Sequence, residues 1–224
     1  MMYVKENDRS IDIPLKNVVL KGDLSVPPNA TALVLFSHGS GSSRFSPRNM
    51  YVANKLKEEG LGTLLFDLLT LKEDLVYQTR FNIDLLTQRL VAVTKWVKRQ
   101  ELTKDMALGY FGASTGAAAA IRAAAHFGSD IMAVVSRGGR PDLAYSALMR
   151  LKAPTLLIVG GWDQEVLELN QKAYEKLNCK KKLEIIPQAS HLFGEKGKLE
   201  DVARSSANWF NKWLVVKKEK NVQD

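Results

Sequence analysis

Cysteine is almost missing from this chain. Cys179 is the single one among 224 residues, so no internal disulfide can form and no paired-cysteine metal site exists. Long apolar runs are missing too. Residues 117–121 and 156–159 are continuous but far shorter than the roughly 20 residues of a membrane-spanning helix, so no membrane partner is expected. The opening MMYVKENDRSIDIP has no apolar stretch of signal-peptide length, which points to a cytoplasmic protein. Histidine is scarce: His38, His126 and His191 are all there are. Positive charge is not scarce, at a net +8, but its lysines and arginines fall in separate segments. Without a clustered face or a zinc-finger, RNA-binding or helix-turn-helix signature, nucleic acid is not an expected partner.

What is present suits one large core. A hydrophobic fraction of 46% supports a single domain over residues 1–224, and no linker composition or internal repeat divides it. The first 25 residues read as extended segments closed by Pro27 and Pro28. ALVLFS at 32–37 is continuously apolar and ends at His38-Gly39, the pattern of a buried parallel strand. Further strands are expected at 63–66, 106–111, 131–136, 155–159 and 183–186. Between them, Val52 and Leu56, then Ile83, Leu86, Leu90, Val93 and Val97, then residues 115–127, Val166 to Leu177, and Leu199 to Leu214 carry helical spacing. Residues 67–82 show no clear period. Strands alternating with helices call for an α/β fold, a mostly parallel sheet with helices on both faces.

The chemistry concentrates after the strands. GASTG at 112–116 fits the G-x-S-x-G pattern, in which a serine stands on a sharp strand-to-helix turn and the glycines remove side chains that would clash. A glycine-rich turn with Ser114 as a helix cap is the plainer alternative. A serine hydroxyl needs a base. His126 lies about three turns along the next helix, whereas His191 sits in a loop between the last strand and the last helix. A base needs an orienting carboxylate, and Asp163 follows the strand at 155–159 directly. The order Ser114, Asp163, His191 is the one expected of this architecture. Backbone N–H groups of Thr115 and Ser40 are the natural oxyanion donors. HGSGSS at 38–43 lacks the lysine and spacing of a phosphate-binding P-loop.

SHGSGSSRFSPRN, GYFGASTGAAAA, VVSRGGRPDL, PTLLIVGGWD and ASHLF together resemble an α/β-hydrolase of the dienelactone-hydrolase-like branch, over about residues 15–214. The resemblance implies an α/β-hydrolase fold and assigns nucleophile, acid and base to Ser114, Asp163 and His191. It also assigns oxyanion donors to Ser40 and Thr115. Dienelactone hydrolases proper carry a cysteine nucleophile; this elbow carries serine, so a serine esterase or lactonase is implied. Similar proteins also occur joined to phosphoribosyltransferase domains, and none is expected here. Only 20 residues separate Val135 from Leu156, too few for a large lid.

The expected reaction is metal- and cofactor-independent hydrolysis of a small carboxylic ester or lactone through an acyl-enzyme. Thioester hydrolysis, acyl transfer and a non-catalytic ligand-binding role remain alternatives. Arg44, Arg48, Arg137 and Arg140 follow strands that should open on the same edge, and with Trp162 they are expected to line the substrate mouth. The arginines would suit an anionic substrate, or they could tie loops to neighbouring aspartates. The sequence leaves the oligomeric state open.

Overall fold

In a computed structural model, residues 7–215 are described. The tail lysines Lys217, Lys218 and Lys220 lie outside them. Eight strands form one mixed sheet: β1 Asn7–Pro14, β2 Val19–Val26, β3 Ala32–Ser37, β4 Gly62–Phe66, β5 Ala107–Ala113, β6 Ile131–Arg137, β7 Thr155–Gly160 and β8 Lys181–Ile186. Their order across the sheet is β1-β2-β4-β3-β5-β6-β7-β8. The β1–β2 hairpin pairs antiparallel, as does β2 with β4; every later pairing is parallel. β3, β4 and β7 are buried at every position, which is why they read as unbroken apolar runs.

The helices are α1 Pro47–Glu58, α2 Leu71–Asp74, α3 Ile83–Val97, α4 Thr115–Phe127, α5 Tyr145–Leu148, α6 Gln164–Lys176 and α7 Lys198–Leu214. α1 starts cleanly because the Ser46 hydroxyl accepts the Asn49 N–H and Pro47 needs no partner for a missing N–H. Alternation along β5 splits the core. Leu108 and Tyr110 pack towards α3 and α4, and Phe111 packs towards α1 and α7. Each fully buried leucine or phenylalanine contributes roughly 2 kcal/mol by leaving water. α4 presents a face of alanines, so it lies close against the sheet.

Residues 67–82 hold the single-turn α2 and a 3₁₀ turn, Tyr77–Phe81. Neither buries a residue fully, and Leu71, Leu75 and Tyr77 are exposed, so no amphipathic period could be present. The segment is anchored by polar contacts. Thr70 and Glu73 form a capping box, and Arg89 of α3 pairs with Glu73 at 2.5 Å. Between β6 and β7 there is a 3₁₀ turn, Pro141–Ala144, followed by α5, and no large inserted lid.

Candidate active site

Ser114 joins β5 to α4 with φ 50° and ψ −121°, a backbone that a residue with a side chain rarely adopts. Its hydroxyl makes no capping hydrogen bond, so the plain cap role is not the one it plays. The surroundings force the glycines. A Cβ on Gly116 would overlap the Ser37 and His38 carbonyls, and one on Gly112 would overlap the Ala117 backbone. Strand-end contacts hold the strained residue: Ser114 N–H donates to the Arg137 carbonyl at 3.2 Å, and Arg140 N–H donates to the Ser114 carbonyl at 3.1 Å.

Asp163 and His191 come from the ends of neighbouring strands, β7 and β8. Their loops are stitched together: Gly161 N–H donates to the Ile186 carbonyl at 2.8 Å, and Trp162 N–H to the Ala189 carbonyl at 2.9 Å. A Cβ on Gly160 would overlap the Ala189 and Ser190 carbonyls, so only glycine permits this approach. The result is a 2.6 Å contact between His191 Nδ1 and Asp163 Oδ2. A neutral His191 donating from Nδ1 keeps a lone pair on Nε2. Gln188 and Phe193 bracket the loop with φ of 56° and 54°. Phe193 is buried in one apolar cluster with residues of α1 and α7 and anchors the loop.

His191 lies against the strand end that holds Ser114. A Cβ on Gly138 would sit 3.3 Å from His191 Cε1, and Gly138 follows Arg137, the partner of Ser114 N–H. Ser114 Oγ and the His191 ring are not hydrogen-bonded to each other; catalytic hydrogen bonds often tighten only with substrate in place. His191 keeps 37% of its side chain exposed against 14% for Asp163, so the imidazole faces solvent and the carboxylate does not.

The oxyanion loop differs from expectation. Ser40 N–H donates to Thr115 Oγ1 at 2.8 Å and is therefore not an open donor in this state. Thr115 N–H, the first of α4, has no carbonyl within its own helix to bind. A Cβ on Gly39 would lie 3.2 Å from Ser114 Cβ, so the loop passes directly over Ser114. His38 is buried and holds the loop. Its Nε2 accepts the Leu68 N–H at 3.0 Å, and Nδ1 lies 2.9 Å from the Gly39 carbonyl. Burial pushes its pKa below the usual value, opposed by the Gly39 contact.

The arginines part company. Arg44 pairs with Asp67, and with Asp23 at 3.2 Å, while Arg140 forms a fork on Asp142 at 2.8 and 2.9 Å. Both are loop ties, because a carboxylate already occupies each guanidinium. Among the described residues, Arg48 and Arg137 enter no ion pair. Trp162 is 62% exposed beside Asp163. Three residues escaped the sequence reading. Arg80 lies near the oxyanion loop, where a Cβ on Gly41 would be 3.7 Å from its Nη1, and it is tied to Asp74. Glu195 accepts the N–H of Ser190, next to the base, at 3.1 Å. Asn170 donates to the Gly139 carbonyl at 3.0 Å. Arg80 sits in the segment without a period, and the other two carry no motif.

Among the described residues, no group of three or more His, Cys, Asp or Glu side chains is placed to hold a metal ion. No described helix is long and apolar enough to cross a membrane. A groove of about 300 Å³ beside α1, lined by residues including Asp23, Arg44, Phe45 and Asn54, contains none of Ser114, Asp163 or His191.

The Dienelactone hydrolase family sequence model matches residues 27–217. A dienelactone hydrolase from Anabaena variabilis, of known crystal structure, is 51% identical with a TM-score of 0.92, over 94% of this chain and 99% of that one. Est1E from Butyrivibrio proteoclasticus is 16% identical and shares the fold, with a TM-score of 0.78 over 91% and 98% of the two chains. A Mycobacterium tuberculosis protein named "Putative phosphoribosyl transferase Rv0571c" is 51% identical over 203 residues, 91% of this chain. The match spans 46% of that longer relative, so the chain corresponds to about half its length.

Proposed function

This chain belongs to the dienelactone hydrolase family, and from that premise we propose that it hydrolyses small carboxylic esters or lactones with Ser114 as nucleophile. The observation that carries the reading is the 2.6 Å Asp163–His191 pair beside a serine held in a strained elbow. Ser114 Oγ attacks the carbonyl carbon as His191 Nε2 takes its proton. Asp163 holds the ring and stabilises the imidazolium. The Thr115 N–H, at the positive end of α4, faces the developing oxyanion, and Ser40 N–H joins it once released from Thr115 Oγ1. His191 returns the proton to the departing alkoxide, leaving an acyl-enzyme on Ser114. Water then gives a proton to His191 as its oxygen bonds the acyl carbon, the acyl carbon–Oγ bond breaks, and His191 returns the proton to Ser114 Oγ, releasing acid and free serine. In a lactone, the alcohol and the acid are the two ends of one product.

The test is covalent labelling by a fluorophosphonate, mapped by mass spectrometry, alongside turnover of a short-chain acyl ester. Labelling at Ser114 and loss of turnover in Ser114→Ala are expected. An unlabelled Ser114 together with unchanged turnover in the variant would rule the reading out.

A further inference from the structure

Arg48 and Arg137 carry charge that nothing in the described structure answers. Arg137, at the end of β6, is 6% exposed, and its Nε is buried without a partner. Among the described residues its side chain makes one hydrogen bond, from Nη2 to Asn49 Oδ1 at a marginal 3.4 Å. Its Cζ lies 5.9 Å from the Phe193 ring centroid. Among the described residues, the side chain of Arg48, on the first turn of α1, makes no hydrogen bond or ion pair, and its Nε is likewise buried and unpartnered.

Arg137 reaches the first turn of α1 at Asn49, the residue that follows Arg48. Arg137 is lowered to about 10, first by burial and then by the charge of Arg48. The first turn of α1 holds no acidic residue, and its helix N-terminus adds positive potential of its own. A buried charge without a counterion loses its hydration and gains no partner in return. The other mouth arginines, Arg44 and Arg140, avoid that penalty with aspartates. A pair of unanswered arginines differs from them in one way: the missing carboxylate can come from outside the chain.

We infer that Arg48, Arg137 and the α1 N-terminus form a binding site for a phosphate or carboxylate group. Paired guanidinium donors suit the oxygens of either anion, and Arg137 already faces the polar Asn49 and not a carboxylate. The site adjoins the catalytic strand end, because Arg137 supplies the carbonyl bound by Ser114 N–H. It involves no chemistry at Ser114, so it stands or falls separately from the hydrolase reading.

Calorimetric titration of the full chain with inorganic phosphate, phenyl phosphate and acetate, at ionic strength held constant with chloride, tests the site. Saturable binding of at least one probe is expected, weakened about tenfold or more in Arg48→Gln and in Arg137→Gln, and unchanged in Ser114→Ala. Tighter binding of phenyl phosphate than of phosphate identifies a group carried on a larger molecule; equal binding identifies the free ion. Arg48 is only partly buried at the start of a helix, so Arg48→Gln decides the matter even where Arg137→Gln fails to fold. No saturable binding to any probe, or equal binding by wild type and Arg48→Gln, overturns the site. Ester turnover without anion binding would remove this site alone; anion binding without turnover would remove the hydrolase reading alone.

Discussion

Thr115 Oγ1 accepts the backbone N–H of Ser40 at 2.8 Å, joining two residues 75 positions apart beside Ser114. The hydroxyl both holds the oxyanion loop and occupies one of its donors. Thr115→Ala removes the hold, and kcat is expected to fall about tenfold or more as the loop loses its position. Thr115→Ser keeps a hydroxyl at the same place and should recover most of the rate. Steady-state kinetics with circular dichroism check this; equal rates for the alanine variant and wild type would remove Thr115 from loop positioning.

Asp163→Asn preserves shape but replaces an anionic acceptor with an amide beside His191 Nδ1. The imidazolium loses its stabilising charge and the ring its preferred tautomer. A fall in kcat of roughly 10³ to 10⁴, with little change in KM, is expected for a neutral ester. A change confined to KM would show that Asp163 acts on substrate binding instead.

Gly116→Ala places a methyl group in the Ser37 and His38 carbonyls, so α4 must move off β3. A loss of at least about 2–3 kcal/mol is expected in urea unfolding. Gly194→Ala is the control, because its added Cβ meets nothing within 4 Å and should change stability by less than about 0.5 kcal/mol. Similar losses in both variants would mean that crowding at the elbow is not the cause.

His38 gives a pH dependence with a definite sign. Its folded pKa lies below the ordinary 6.5, so the unfolded chain takes up a proton first as pH falls. Its contribution is complete above 6.5 and is lost as pH drops from there towards the folded value. Unfolding free energies measured from about pH 7.5 down to about pH 5.5 should fall in wild type and fall less steeply in His38→Gln. Parallel slopes would assign the acid sensitivity to other groups.

The periodic parts of the chain were legible because burial writes itself into residue type. β3 and β7 are covered on both faces and read as apolar runs, and α3 buries one stripe and reads at helical spacing. β8 is the instructive partial case. It begins at Lys181, two residues before the expected start, because edge positions remain half-exposed and tolerate lysine. α2 and the turn over Tyr77–Phe81 left no trace, since capping and ion pairs hold them where no buried face does.

The sequence by itself determined the fold family, the glycine-flanked serine and the order of the three candidate residues, since these depend on local sterics and on strand succession. Only the tertiary structure decided which charges are answered. Four arginines looked alike along the chain, yet Arg44 meets Asp67 and Asp23, Arg140 meets Asp142, and Arg48 and Arg137 meet no acid among the described residues. It also decided that Ser40 N–H binds Thr115 and that Glu195 holds the residue before His191. Such pairings depend on distances between segments far apart in the chain, and Coulomb and hydrogen-bond energies fall off within a few ångströms in space, a length that residue order does not encode.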